Sequence, residues 1–211
     1  MSSGSHNDYC RNGDEMRERK EKSQQRGYTL VETLVVMTIV AIMTAVALPF
    51  IDNAVRKTHE DIAMYDVVME MRRARQLALD MRRNHRLTFT TPRTLTITRI
   101  GMASLGEPNT VVATVDLPSD ISFGRNGIGV NPDPQITTTE AISFNDNPQL
   151  YIEFRPDGSG VDAAGTLALG QVMLGRIGDV PSTRAVTLFG STGRIKGLRF
   201  RGSGGTSGSW E

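Results

Sequence analysis

The hydrophobic pattern of the chain is dominated by one apolar segment near the N-terminus. From Leu30 to Ile51 there are 22 residues, only Glu32 among them is charged, and Pro49 lies near the far end. A helix of this length extends roughly 33 Å, which is enough to cross the hydrocarbon core of a bilayer. The pattern therefore predicts a transmembrane helix over residues 28–51, and Pro49 is expected to kink it near its exit from the membrane.

Two other structures contain apolar runs, and both fit this segment less well. A helix buried in a soluble core rarely stays apolar on every face over such a length. A secretory signal has an apolar region of only about 7–15 residues, which ends in a small-residue cleavage site. Ala45 and Ala47 could mimic such a site, but the run is too long and a helical pattern follows it directly.

The stretch before the apolar run, residues 1–27, is polar and contains no apolar cluster. Its basic and acidic residues nearly balance, and Lys22 and Arg26 give only a mild positive-inside bias. We therefore interpret residues 1–27 as an unfolded cytoplasmic leader. Cys10 is the single cysteine of the chain, so no internal disulfide can form.

Glu32 is the residue of the apolar run that calls for an explanation. A carboxylate inside a membrane helix costs about 2.5–3.5 kcal/mol on insertion scales, so it usually has a partner. Close to the start of a helix, the backbone dipole provides partial positive charge. Glu32 is therefore either a hydrated residue at the membrane interface or one member of a charge pair whose partner comes from another subunit.

Residues 52–84 continue the helical pattern and lack glycine and proline. Ile62, Tyr65 and Met69 recur at helical spacing, and Ala74, Ala78 and Met81 are expected to continue this apolar face of the helix. The later half of the segment is basic, with Arg72, Arg73, Arg75, Arg82 and Arg83. A solvated helix face accounts for such a charge run, and contact with another subunit or with lipid headgroups is the alternative.

After residue 84 the pattern changes to short strands separated by turn signals, and a β-rich domain is predicted over residues 85–201. An irregular stretch covers residues 124–148, and the Gly/Ser-rich residues 202–211 are expected to form a flexible tail. The predicted strands cover residues 86–90, 94–100, 111–115, 121–123, 150–154, 166–169, 171–174, 185–189 and 195–200.

The residues around the start of the apolar run match a known signal. Arg26-Gly27-Tyr28-Thr29-Leu30-Val31-Glu32 resembles the class III signal of type IV prepilins and type II secretion pseudopilins. The resemblance implies cleavage by a prepilin peptidase between Gly27 and Tyr28, N-methylation of Tyr28, and a role for Glu32 as the charge partner in assembly. It also implies a single-pass protein of the bacterial inner membrane, with its C-terminal domain in the periplasm.

Later motifs resemble the GspH/FimT group of this family. Residues 74–89 resemble its helix-to-strand junction, and Phe154-Arg155-Pro156-Asp157-Gly158 and Gly193-Arg194-Ile195 resemble its two late motifs. The implied fold is α+β and type IV pilin-like: a long N-terminal helix, transmembrane in its first half, packed on a C-terminal β-sandwich. The implied partners are other pilin or pseudopilin subunits, the prepilin peptidase, inner-membrane lipid and a secretion or pilus assembly platform.

The resemblance leaves two functions open: a minor pseudopilin of a type II secretion system, or a FimT-like minor pilin in pilus biogenesis or DNA uptake. The second function makes Arg194, Lys196, Arg199 and Arg201 candidate DNA contacts, although an ordinary charged strand is the simpler interpretation. Strict alternation would place Arg194 and Lys196 on the face of Leu198 and Phe200. A bulge at Gly197 would instead turn all four cations outward and Ile195, Leu198 and Phe200 inward.

Nothing in the sequence points to an enzyme, and we predict no catalytic residues, cofactor or metal. The three histidines, His6, His59 and His85, are scattered and lack metal-ligand spacing. No Gly-rich phosphate loop or nucleophile elbow is present in the sequence. The net charge of +1 also argues against strong nonspecific attraction of the whole molecule to nucleic acid.

Overall fold

A computed structural model describes the backbone of residues 27–211 and the side chains of residues 27–47 and 54–211. The predicted leader, apart from Gly27, lies outside the described residues. The chain divides into two compact units, Met1–Leu48 and Pro49–Glu211. One helix, α1 (Leu30–Met81), contributes residues to both units.

The first unit contains the apolar part of α1. Leu30–Ala47 has a mean hydropathy of 2.3, and none of it is buried within the protein. By length and composition, it is the one described helical segment able to cross a membrane. Three exposed threonines add little polarity, because the hydroxyls of Thr33, Thr38 and Thr44 donate to backbone carbonyls one turn earlier.

The second unit contains two antiparallel sheets. The first has five strands in the order β3 (Thr110–Asp116), β2 (Thr94–Arg99), β1 (His85–Thr90), β6 (Tyr151–Phe154) and β7 (Gly160–Val161). The second has the order β11 (Ser207–Trp210), β10 (Arg194–Gly204), β9 (Arg184–Phe189), β8 (Leu169–Gly175) and β4 (Ser122–Phe123). A further strand, β5 (Ile142–Phe144), also pairs with β8.

A single hydrophobic cluster joins one face of α1 to both sheets. Its largest fully buried side chains include Met71 from α1, Phe89 and Phe154 from the first sheet, and Phe144 from the second. Phe89 stacks on Phe144 with ring centroids 6.2 Å apart. The α+β fold predicted from the sequence, with helix packed on antiparallel sheet, is confirmed.

The packed face of α1 agrees with the predicted apolar face at Ala74 and Ala78 but not at its other positions. Ile62, Tyr65 and Met69 are 43%, 56% and 58% exposed, and Met81 is also exposed. The buried face consists of Ala63, Met64, Val67, Val68, Met71, Ala74 and Ala78. Periodicity alone favours both faces equally, but the small Ala and Val side chains allow the sheets to approach the helix closely.

The strand predictions agree with the structure apart from a few boundaries. The predicted strands 166–169 and 171–174 form one strand, β8, and the predicted irregular stretch contains only the short β5. The two-residue strand β7 was not predicted, because two residues give no detectable alternation.

The flexible tail predicted for residues 202–211 is wrong. Strand β10 continues to Gly204 and forms a hairpin with β11. The Trp210 indole lies against Phe200, with ring centroids 5.2 Å apart, and donates to the Val130 carbonyl at 3.0 Å. Arg199 and Glu211 also exchange backbone hydrogen bonds of 2.8 and 3.0 Å, so the two strands of the hairpin stay paired as far as Glu211.

Replacing Trp210 with alanine is expected to destabilise the second unit by about 2 kcal/mol, because a partly buried aromatic and its hydrogen bond are lost. The measurement is chemical denaturation of the full chain in detergent, followed by circular dichroism. Ser209→Ala, on the exposed neighbouring residue, is the control and should change the free energy of unfolding by less than about 0.5 kcal/mol. Equal stabilities of the two variants would contradict the packing role of Trp210.

Candidate functional site

The predicted processing site lies in an accessible segment at the start of α1. Gly27 is exposed and has no atom within 4 Å of the position of an added Cβ, and Tyr28 is 77% exposed. Neither residue belongs to the helix, which begins at Leu30. The bond between Gly27 and Tyr28 is therefore exposed and lies outside the helix.

Local hydrogen bonding fixes the position of Glu32 in the first turn of α1. The backbone N–H of Glu32 donates to the Thr29 Oγ1 at 3.2 Å, so Thr29 is the N-cap and Glu32 occupies the third helical position. This Thr-x-x-Glu arrangement has the spacing of a capping box. The Glu32 side chain is exposed and forms no ion pair with any described residue.

The backbone of α1 is helical through Pro49, whose side chain lies outside the described ones. The predicted kink at Pro49 therefore stays a prediction.

The sequence motifs of the second unit meet at Arg75. Its Nε donates to the Gly158 carbonyl at 2.9 Å, and its Nη2 donates to the Thr192 carbonyl at 3.3 Å. Gly158 belongs to the turn before β7, and Thr192 belongs to the turn before β10. One arginine of α1 therefore fixes two distant turns, each containing one of the late motifs identified in the sequence.

Gly193 is constrained both by its backbone and by this arginine. Its φ is +63°, and an added Cβ would lie 2.3 Å from the Arg75 Nε. The guanidinium can move aside only by giving up its bonds to the two turns. Both a left-handed conformation and a close approach therefore require glycine here.

We expect Gly193→Ala to cost about 2–4 kcal/mol in the free energy of unfolding, from backbone strain and lost hydrogen bonds together. Gly106→Ala is a matched control, because Gly106 has a φ of +66° and open space around its Cβ position. The control should cost only about 1 kcal/mol, the strain alone. Urea unfolding of both variants measures the difference, and equal costs would show that the Arg75 contact contributes nothing.

All four candidate DNA contacts on β10 are exposed, but no bulge turns them outward. The pairing of β10 with β9 is regular from Arg194 to Arg199, so alternation is strict. Ile195 belongs to the main core, whereas Leu198 belongs to a smaller cluster with Met173 and Ala185 on the opposite face. Both faces of β10 are covered, which explains the burial pattern without the bulge considered at Gly197.

The four cations differ in their partners. Arg199 pairs with Asp61 at 2.9 Å, and Arg201 pairs with Glu211 at 2.6 Å. Arg194 lies over the Phe189 ring, 5.7 Å from its centroid. Among the described side chains, no carboxylate pairs with Arg194 or Lys196. Of these four cations, only Arg194 and Lys196 therefore lack a carboxylate partner among the described residues.

A buried ion pair attaches α1 to the second sheet. Arg184 is 7% exposed and Glu60 is 5% exposed, and the Arg184 Nη2 lies 2.8 Å from the Glu60 Oε2. The Arg184 Nε also donates to the Asp61 Oδ1 at 2.9 Å. Burial raises the pKa of Glu60 above its ordinary value, although Arg184 and Arg176 act in the opposite direction.

Arg176 extends this network. Its guanidinium contacts Glu60 at 3.3 Å, and Asp120 and Asp179 at 3.0 Å each. His59 Nδ1 lies 3.0 Å from the other oxygen of Asp120. Burial acts to raise the pKa of Asp120, but hydrogen bonds from Arg176 and His59 outweigh it and lower the pKa. Sequence analysis missed this network, since Glu60 lies more than a hundred residues before Arg176 and Arg184 and the contacts follow no spacing rule.

Asp162 organises the loop after β7. Its carboxylate accepts hydrogen bonds from the Ala164 N–H, from the N–H and hydroxyl of Thr166, and from the Asn145 amide, at 2.7–3.0 Å. Burial alone would raise the pKa of Asp162, but these donors together lower it. The ionised carboxylate therefore stabilises the fold above the ordinary pKa, and this contribution is lost as pH falls through the lowered value.

Asp162→Asn is expected to cost about 1–3 kcal/mol at neutral pH, because asparagine cannot accept all of these hydrogen bonds. The cost should shrink as pH falls from the ordinary pKa of aspartate toward the lowered pKa of Asp162, because the carboxyl of the unfolded wild type binds a proton first. Denaturant unfolding at several pH values checks this, with Asp80→Asn on the exposed face of α1 as the control. A cost that is constant with pH would contradict the role of the charge.

The described residues show no metal centre: between residues 27 and 211, no group of three or more His, Cys, Asp or Glu side chains is placed to hold an ion. His59 belongs to the ion-pair network, and His85 is fully buried with its Nδ1 3.0 Å from the Arg83 carbonyl. His6 lies outside the described residues.

Comparison with known proteins gives one family match, two structural similarities and no match among curated proteins. Residues 22–48 match the prokaryotic N-terminal methylation motif. The minor pseudopilin EpsH from the Type 2 Secretion System of Vibrio cholerae has 9% identity and a TM-score of 0.46, covering 67% of this chain and 97% of its own. The type IV minor pilin FimU of Pseudomonas aeruginosa has 13% identity and a TM-score of 0.44, covering 70% and 91%.

The matched motif spans the predicted cleavage site, Glu32 and most of the exposed apolar helix. Motif and helix together indicate a single-pass protein anchored in a membrane. Over residues 22–48, this chain therefore carries the prokaryotic N-terminal methylation motif.

Proposed function

We propose that the chain is a minor pseudopilin of a type II protein secretion system. A prepilin peptidase cuts between Gly27 and Tyr28, Tyr28 is N-methylated, and residues 28–51 anchor the protein in the bacterial inner membrane. The β-rich domain lies in the periplasm, and the N-terminal helix joins the subunit to a pseudopilus. One observation carries this proposal: the methylation motif at residues 22–48 overlaps a helix whose apolar residues are all exposed.

The assembly step follows from the chemistry of the processed N-terminus. Cleavage leaves an ammonium at Tyr28, close in sequence to Glu32. In a bundle of apolar helices, the Glu32 carboxylate of one subunit meets the ammonium of its neighbour. At an effective dielectric constant of about 20, such a pair at 4 Å gains ~4 kcal/mol, and a shifted register leaves both charges unpaired. The pair therefore selects one axial position.

Mass spectrometry of the N-terminus tests the processing step. The chain would be expressed with an active prepilin peptidase, extracted from membranes and digested. We expect a methylated N-terminal peptide that starts at Tyr28. Gly27→Leu is the control and should keep its leader, because a bulky side chain then occupies the cleavage position. An intact Met1 in the wild-type membrane fraction would refute the proposal.

A second candidate function is a FimT-like minor pilin for type IV pilus biogenesis or DNA uptake. The observation in its favour is the exposed pair Arg194 and Lys196, which lacks a carboxylate partner among the described residues. Against it, Arg199 and Arg201 are neutralised by Asp61 and Glu211. Lys196 also cannot form the two-pronged phosphate contact that an arginine forms.

Titration of the full chain in neutral detergent with duplex DNA, at several salt concentrations, separates the two functions. DNA uptake predicts that log K falls with log salt at about 0.9 per neutralised phosphate. An Arg194→Gln/Lys196→Gln variant should then bind more weakly and with a smaller slope. The secretion function predicts no binding even at low salt.

A further inference from the structure

A groove on the second unit collects arginines from α1 and from the start of β10. It encloses about 440 Å³ and is lined by Arg72, Arg75, Gln76, Gly193, Arg194 and Ile195. The left-handed turn at Gly193 brings Arg194 beside the helix. Three guanidinium groups thus border one open space.

No described carboxylate forms an ion pair with the three arginines of this groove, although Asp80 accepts a hydrogen bond of 2.8 Å from the Gln76 amide. Arg75 bonds only to the carbonyls of Gly158 and Thr192, and Arg194 lies over the Phe189 ring. No described carboxylate pairs with Arg72, whereas its neighbour Arg73 pairs with Glu70 at 3.6 Å. Clustered like charges repel one another, so an anionic group that entered the groove would relieve this repulsion.

The groove continues into an apolar surface on α1. Ile62, Tyr65 and Met69 are each more than 40% exposed, and they share one helical face with Arg72 and Gln76. We define these three residues as the apolar stripe. A nucleic-acid backbone would use the arginines but would leave the aliphatic part of the stripe in water. A protein segment with an apolar face and a carboxylate can use both.

We propose that this surface is a docking site for an acidic segment of another protein. Carboxylates of the segment enter the groove and accept paired hydrogen bonds from Arg72 and Arg194, and its apolar face packs on the stripe. The planar fork of arginine suits carboxylate in this two-bond geometry. Arg75 is a positioning residue, since its bonds to the two turns hold Arg194 beside the helix. The inference goes beyond the proposed function and does not depend on cleavage at Gly27.

Binding measured on the full chain in neutral detergent tests this proposal. The probe is a fluorescent helical peptide with leucines along one face and glutamates in its last turn. The comparison probes are the same peptide with glutamines for glutamates, the same peptide with serines for leucines, and a single-stranded DNA of equal charge. Fluorescence anisotropy reports binding, and the variants are Arg72→Gln/Arg194→Gln and the control Arg73→Gln.

We expect the acidic peptide to bind more tightly than each comparison probe. The double variant should weaken it about tenfold, which corresponds to ~1.4 kcal/mol. Arg73→Gln removes the same kind of charge from the adjacent position outside the groove and should leave the affinity unchanged. Tighter binding of the DNA, or equal affinity of the double variant and the wild type, would overturn the proposal.

Discussion

Replacing Arg184 with alanine will destabilise the second unit by about 3–5 kcal/mol, the largest stability effect that we expect from a single substitution. The change leaves Glu60 at 5% exposure without its 2.8 Å partner and removes a bond to Asp61. Without this partner, the free-energy cost of removing the Glu60 carboxylate from water is largely uncompensated. The remaining contact with Arg176 at 3.3 Å compensates for it only in part. Chemical denaturation of the full chain in detergent measures the loss.

Two further variants show whether burial causes this effect. Arg201→Ala breaks a pair that is 73% and 55% exposed, and it should cost less than about 1 kcal/mol. Glu60→Leu combined with Arg184→Met removes both buried charges and should recover part of the stability lost in Arg184→Ala. If the single and double variants are equally unstable, the loss of stability comes from packing rather than from the unpaired Glu60 charge.

Glu32→Gln will give the largest functional effect, a reduction of about tenfold or more in incorporation into filaments. Glutamine is also a normal residue at the third position of a capping box. The backbone N–H of residue 32 can still donate to the Thr29 Oγ1. The start of the helix is therefore preserved while the negative charge is lost. Sheared-filament fractions, quantified against total membrane protein, give the incorporated share.

The controls separate assembly from membrane insertion. Both Glu32→Gln and wild type should resist carbonate extraction equally, since the apolar segment Leu30–Ala47 is unchanged. Glu32→Asp keeps the charge and should retain part of the incorporation. Normal incorporation of Glu32→Gln would show that the carboxylate has no partner in the assembled state.

Local periodicity explains which parts of the fold could be predicted. The apolar run is recognised by its length, and the strands β1, β2 and β6 are recognised by their alternation. The packed face of α1 could not be chosen, because Ile62 and Met69 on one side are as apolar as Val67 and Met71 on the other. Only the position of the sheets distinguishes the two faces.

Long-range contacts explain what the sequence concealed in the site. Gly158 and Gly193 belong to the two late motifs found in the sequence, but their common contact with Arg75 joins segments far apart in the chain. The Glu60–Arg184 pair is equally nonlocal. The β10–β11 hairpin has a Gly/Ser-rich sequence that resembles a linker, and its order depends on tertiary contacts of Trp210. Contacts of this kind produce no periodic pattern in the amino-acid sequence.

Trp210 is the only tryptophan of the chain, so its indole emission is an optical signal for one place in the molecule. Because the indole contacts Phe200 and the Val130 carbonyl, detachment of the hairpin will shift that emission to longer wavelength even while the rest of the sheet stays folded. Comparison of this signal with far-ultraviolet dichroism along one denaturation curve will show whether the hairpin melts with the domain or before it.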